Sequence, residues 1–541
     1  MTPGYATPVV NHAREAGHAV GRLALRQVRR GALIVLAVAS GMSALVAVTY
    51  QRTVSDALDA AALAALAENP AVRTLFGEPV ALDTPGGFAV WRTGTVLAVL
   101  VSVWGLLAAT RITRGEEEGG RWDLVLAGPL GLPAVVRRHL AVLLAAMAVV
   151  ATGVTGALLA AGTPPVGAVL HGAGIALAGM FAVAVATLAA QVFPTRSGAS
   201  GAATAVLGLA LLARMVGDGV PALGWLRWLS PYGLLALSRP YHDDWPAPLA
   251  VLAVAVVAVA AAASALAGRR DAHGGLLVAS AGRRPRRWLL GSVEAFAVRR
   301  LLRPLAGWSA GVAAYFLLIG VLATEMTAFL ADNPRFATLA ADAGFAGLGS
   351  VRGYAAALFA LLAVPVGAFA ALRVAAFAAA ENDRRLTALH AQPVTRVRLV
   401  GAEVAATLAG VAVLLAVAGV ATWCGAAIVD ADLPLTAALA GTGNVAPIVV
   451  LCLGAGILAL GWTPRAVLAV GVLPGAGGFL LQVVADSTGA PPWVGGLSPF
   501  RHLAAVPDVD PNIPACVVMT VLAVLVGVAG VARYRRRDLA G

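Results

Sequence analysis

The chain has 541 residues, of which 60% are hydrophobic and only 12% charged, and it carries a formal net charge of +12. A mean hydropathy of +0.85 excludes both a soluble globular domain and a disordered polyelectrolyte and places the chain in a bilayer. All 39 basic residues are arginines; gathered in loops, they read as an orientation signal with some attraction to anionic membrane lipids, and nucleic acid is not expected as a partner.

In chain order, residues 1–30 are polar and arginine-bearing, and no cleavable leader is expected before the first apolar run. Arg22, Arg26, Arg29 and Arg30 occupy about a third of a helical wheel, with Val20, Ala24 and Val28 opposite. Two readings fit: an elbow helix lying flat on the inner membrane surface before turning inward, or a basic flank that only fixes orientation. Windows long enough to cross about 30 Å of hydrocarbon follow at 31–49, 93–111, 139–161, 166–190, 200–217 and 247–267. The outer segment 50–92 contains an alanine-rich helical stretch over 54–67, closed by Asn69-Pro70 because the residue before proline resists the helical conformation. Before the sixth span, Trp225, Trp228, Tyr232, Tyr241 and Trp245 suit either an interfacial belt or a substrate vestibule.

A glycine- and arginine-rich stretch, 268–306, is expected to be a flexible basic linker, solvated through Arg269, Arg270, Arg283, Arg284, Arg286 and Arg287. It ends in a second elbow-like segment bearing Arg299, Arg300 and Arg303. Further spans are expected at 307–324, 353–373, 399–422, 437–461, 465–484 and 514–533. Barrel strands are too short for such runs, and lipid demands internal pairing of backbone groups, so the fold class is an all-α polytopic membrane protein with about 12 transmembrane helices. The expected domains are a six-helix half over 1–267, the linker over 268–306 and a second six-helix half over 307–541.

The halves repeat one another. Asn69-Pro70 recurs as Asn333-Pro334, Glu117, Arg121 and Pro129 as Glu381, Arg385 and Pro393, and Leu229-Ser230-Pro231-Tyr232 as Leu497-Ser498-Pro499-Phe500. Arg269-Arg270-Asp271 returns as Arg536-Arg537-Asp538, and the offsets are all roughly 264 to 268, the signature of a duplicated transporter half. About thirty arginines lie in the N-terminal arm, the loops near 112–138, 191–199, 268–306 and 374–398, and the C-terminal tail, against about eight on the other side. Both termini are therefore expected in the cytoplasm, with the two tandem six-helix repeats in the same orientation.

The cytoplasmic loop after the second span, from Arg114 to Pro129, opens on Glu116, Glu117 and Glu118, and its twin runs from Glu381 to Pro393. Each begins with carboxylates, continues as a short apolar helix and stops at a proline. Carboxylates at a helix start are favoured by the macrodipole, so a local structural role is open beside that of a pair of docking knobs. The pattern resembles the permease subunits of type 2 ATP-binding-cassette (ABC) exporters, whose glutamate-rich helix after the second span contacts the ATPase. More narrowly, it is similar to fused double permeases of actinobacterial polyketide antibiotic exporters of the tetronasin-resistance type. The resemblance implies a plasma-membrane permease for hydrophobic or amphiphilic compounds. It also implies two copies of a separate ABC ATPase subunit, using ATP and Mg, docked on Glu116, Glu117, Glu118, Arg121, Trp122, Glu381, Asp383, Arg384 and Arg385. The second loop departs from the pattern in having fewer glutamates. A chain without lysine cannot supply the G-x-x-x-x-G-K-[ST] phosphate loop, so hydrolysis is expected on a partner.

No catalytic, cofactor or metal residues are assigned. Cys424, Cys452 and Cys516 form no CxxC, and their expected role is packing. Glu403, Arg214, Asp218, Asp486 and Glu325 lie towards the ends of spans, where side chains are expected to reach water; the competing reading is an ion route. A proton-coupled twelve-helix efflux transporter shares the topology but needs a buried acid and a Gly-Asp-Arg-type loop. A membrane glycosyltransferase would call on Asp243-Asp244 or on Asp508 with Asp510, which have no base, nucleophile or metal cluster in sequence reach.

Overall fold

Lipid offers no partner for backbone N–H and C=O groups, and the chain answers with helix: no strand occurs among the described residues. The computed structural model describes residues 7–51, 73–74, 77–277, 288–334, 346–382, 386, 389, 392–488 and 491–537. Twelve helices among them are long and apolar enough to cross a membrane. The first six are Arg14–Thr49, Pro85–Glu118, Leu132–Ala160, Pro165–Val192, Arg196–Gly219 and Ala247–Ala267. The second six are Val293–Asp332, Val351–Asn382, Arg396–Ile428, Leu435–Trp462, Pro464–Gln482 and Ile513–Arg536. The chain is a multi-pass membrane protein.

It divides into two compact units, Met1–Arg283 and Arg284–Gly541, each with its own apolar core. Within the first unit, span one packs along span three, span two along span four, and span four along span six. The second unit repeats those pairings in its spans seven with nine, eight with ten, and ten with twelve. Small residues set the spacing, as expected where lipid is as apolar as the core and close contact drives association. A Cβ on Gly320 would lie 2.2 Å from the Thr422 carbonyl oxygen, and one on Gly425 2.2 Å from that of Leu317, so spans seven and nine touch through bare backbone.

Three expectations change. The N-terminal arm and the first span form one uninterrupted helix, Thr7–Thr49, with no turn between an in-plane elbow and the span. Its faces are nonetheless sorted: Val20, Ala24 and Val28 are buried while Arg22, Arg26, Arg29 and Arg30 are exposed. The tether expected from residue 268 is docked over its first ten positions, where the N–H groups of Leu276 and Leu277 donate to the carbonyls of Gln191 and Val192 at 3.2 and 3.0 Å; Arg283, Arg284, Arg286 and Arg287 lie outside the described residues. Finally, the alanine-rich stretch over 54–67 and Asn69-Pro70 are outside the described residues, whereas their counterpart is a helix, Ala323–Asp332, closed by Asn333. The Asn333 amide donates to the Phe329 carbonyl at 2.8 Å.

Candidate functional site

Span two does not end cleanly. It passes through a π-turn, Arg111–Gly115, into Glu116–Glu118, reverses at Gly119-Gly120 and re-forms as a short helix, Arg121–Leu126. Gly120 takes a φ of +71°, a left-handed conformation that glycine adopts without strain. The turn sends Glu117 inward, where it is 1% exposed. A carboxylate taken out of water needs charged partners and hydrogen bonds. Arg114 lies 3.2 Å away, Arg270 donates twice at 2.6 and 2.8 Å, and the His273 backbone N–H donates at 2.8 Å. Arg270 also reaches the Gln191 side-chain oxygen at 2.9 Å, and Arg114 Nε the Ala190 carbonyl at 2.9 Å.

The rest of the loop divides into anchored and bare residues. Glu116 receives a two-pronged hydrogen bond from Arg121 at 2.6 and 3.0 Å. Glu118 accepts from the Arg196 N–H at 3.0 Å, where the fifth span starts. Trp122 is buried beside Val20, Leu132, Val135 and Val136, with its ring 5.3 Å from that of His139. Leu124 points the other way and is 85% exposed, between the exposed Arg121 and Asp123 on one side and Ala127 to Pro129 on the other.

The second unit builds the same root. Glu381 is ion-paired to Arg537 and accepts a hydrogen bond from the Tyr534 hydroxyl at 2.7 Å. Arg537 also donates to the Leu460 carbonyl at 2.6 Å, and Arg396 donates to the Arg537 carbonyl at 2.6 Å. Leu386, the repeat counterpart of Trp122, is likewise buried. Asp383, Arg384 and Arg385 lie outside the described residues. Of the carboxylates expected to face a partner, Glu117 and Glu381 therefore turn into the protein, and so does Trp122.

The second arginine group is partly engaged: Arg299 donates to the Trp288 carbonyl at 3.0 Å, Arg300 lies 3.7 Å from Glu403, and Arg303 is exposed. Glu403 does not reach water. It is buried against Arg373, and Arg214 with Asp218 forms a second enclosed pair at 2.7 Å; the expectation of end-of-helix solvation fails because neighbouring segments close over both. Glu325 is exposed, as expected, and the Asp486 side chain lies outside the described residues. Beyond Asp218, Arg227 lies 3.2 Å from Glu78, and Arg239 bridges Glu78 at 3.1 Å and Asp243 at 2.9 Å. The hydrogen bond from Arg239 holds the Asp243 carboxyl below its ordinary range, and the same bond raises Arg239. Asp244 accepts the Tyr241 N–H within its own loop at 2.8 Å, and Asp508 accepts the Ser350 hydroxyl at 3.0 Å, at the start of span eight, so both acids are occupied in structural contacts. No cluster able to hold a metal occurs among the described residues, and the three cysteines are free thiols.

Residues 290–535 match the family described as the C-terminal domain of the multidrug efflux system permease Rv1217c. Over 488 residues the chain is 31% identical to the multidrug efflux system permease protein Rv1217c of Mycobacterium tuberculosis, a match covering 89% of this chain and 87% of that one. The chain belongs to this family of efflux permeases. The resemblance to ABC exporter permeases is borne out at the level of family, and an efflux permease is a component of a transporter, not an enzyme.

In this permease the residues around the two carboxylates that loop composition alone misses are Arg114, Gln191, Arg270, Tyr534 and Arg537. A signal for two of them was present. Glu117 with Arg270 and Glu381 with Arg537 are landmarks of the same repeat, and landmarks that duplicate together are candidates for touching one another.

Proposed function

We propose that this chain is the membrane subunit of an ATP-driven ABC exporter, that its arginine-rich end faces the cytoplasm, and that two copies of a separate ATPase subunit engage its loops after spans two and eight. Its cargo is a hydrophobic or amphiphilic compound such as an antibiotic. ATP and Mg belong to the partner. The observation that carries this reading is a loop fixed at its root by Glu117 and Trp122 and bare at its tip, where Leu124 stands 85% exposed. A rigid stem with an apolar tip suits docking and force transfer, since a partner that binds it spends little on ordering it. The root recurs at Glu381 and Leu386, which supports two docking points. Closure of the ATPase subunits on nucleotide would displace both loops and shift the helices attached to them. A proton-coupled mechanism is less well supported, because the buried span carboxylates among the described residues, Glu117, Asp218 and Glu403, are each matched by arginine.

The test is co-purification with the ABC-type ATPase recovered from native membranes. Leu124→Asp is expected to reduce capture by about tenfold, the scale of one interface anchor, with an unchanged thermal midpoint. Undiminished capture would remove the loop as the docking point.

A further inference from the structure

We infer that Arg270 and Arg537 are the positioning residues that carry loop movement into spans four and six of the first unit and ten and twelve of the second. The inference rests on the docking reading above. Each arginine follows the last span of its unit and reaches back to the carboxylate ending that unit's second span, Glu117 or Glu381. Each also binds the end of the unit's fourth span, Arg270 through the Gln191 side chain at 2.9 Å and Arg537 through the Leu460 carbonyl at 2.6 Å. One guanidinium thus joins three span ends, twice in one chain.

Covalent connection takes displacement of the loop into spans two and three, Arg114 ties the end of span two to the Ala190 carbonyl of span four, and Glu118 ties the loop to the start of span five. The clamp adds a second tie to span four and the one to the segment that follows span six. With it, the same displacement is delivered to spans four and ten, the most enclosed helices of their units, with 72% and 67% of their apolar windows buried. Span four touches spans two, three, five and six, so movement there reaches the whole unit. Arginine suits the task because its planar fork keeps a fixed geometry to carboxylate and carbonyl together, which a lysine point charge does not. A purely stabilising role would not need ions at all, since well-packed apolar residues often serve as well as a buried ion pair. The Gly274 carbonyl accepts from both Arg270 and Arg114 at 3.0 Å and so ties the two guanidinia of the first unit into one junction.

The test uses the full chain with its co-purified ATPase, with Cys424, Cys452 and Cys516 replaced by Ser and a reporter Val166→Cys or Leu439→Cys near the start of span four or ten, remote from the clamps. The wild-type background should show an ATP-driven change in thiol-modification rate of about fivefold or more, the lower range of site-to-site coupling. Arg270→Gln should abolish it at position 166 and Arg537→Glu at position 439 even at saturating ATPase, where any weaker capture by a loosened root is made up. Arg537→Gln should abolish the response at position 439 as well, so that the loss does not depend on a new negative charge set beside Glu381. Arg270→Lys, which keeps charge without the fork, should respond only weakly and covers the case in which Arg270→Gln fails to fold. An intact response in Arg270→Gln and in both Arg537→Glu and Arg537→Gln overturns the clamp while leaving docking in place. If the wild type captures no ATPase, or shows no ATP response at either reporter, the inference falls; in the first case the docking reading falls with it.

Discussion

The buried carboxylates at the ends of spans two and eight share one partner and differ in the other. Both hold the arginine that follows the last span of their unit. Glu117 adds Arg114, three residues before it, where Glu381 has the buried Ala378. Glu381 adds Tyr534, three residues before Arg537, where the first unit has the buried Ala267. The third member of each cluster thus comes from opposite sides of the same pair: one cage holds two guanidinia around a carboxylate, the other a single guanidinium and a phenol. What both copies retain is the link between span ends, and what they vary is how its remaining hydrogen-bonding capacity is filled.

The largest test of that contrast is Glu117→Ala, which strands two guanidinia in a dry site. It should cost roughly 3 to 5 kcal/mol, read as a lowered thermal midpoint in detergent. Glu381→Ala should cost about half as much, because it leaves one guanidinium where Glu117→Ala leaves two, and Arg537 is 17% exposed against 3% for Arg270. Equal losses would erase the distinction between the cages. Next, Trp122→Ala should lower stability by about 3 kcal/mol and Leu386→Ala by about 2 kcal/mol, whereas Leu124→Ala should stay within about 0.5 kcal/mol. A large loss at Leu124 would mean that the tip is structural. Arg114→Ala should cost about 1 to 3 kcal/mol, less than Glu117→Ala, since Arg270 still matches the carboxylate.

The smallest effect belongs to the opposite end of the first unit. Asp243 is depressed by Arg239, so its contribution is present above the unfolded carboxylate value of about 3.9 and is lost as pH falls through the lower folded value. The difference in midpoint between the wild type and Asp243→Asn should accordingly be small and flat from about pH 8 to 5, closing only below about pH 4. A difference that closes near neutrality would place the controlling charge elsewhere.

Hydropathy located all twelve spans, because crossing a bilayer requires length and apolarity together, and both are local properties. It undercounted the helix ahead of the first span: the run over 31–49 is the apolar part of Thr7–Thr49, whose arginine-bearing turns are helical but not apolar. The Asn333-Pro334 stop was equally local and equally legible. The clamps were not, since the residues joined lie 153 and 156 positions apart and no periodicity spans such a distance. Repetition marked the letters without showing that they touch. Arg214 and Asp218 sit one helical turn apart, so their pairing could be read, but not their burial. That depends on Gly77, which passes so close that a Cβ there would meet the Arg214 guanidinium at 2.1 Å.

The most direct measurement of the central claim, that this permease draws its energy from a separate ATPase through its loops, is transport in liposomes reconstituted with the purified chain. Uphill movement of a hydrophobic cargo is predicted only when both the ATPase subunit and ATP with Mg are supplied, with loss of that movement in Leu124→Asp. Uphill movement by the chain alone, driven by an imposed proton gradient without nucleotide, would contradict it.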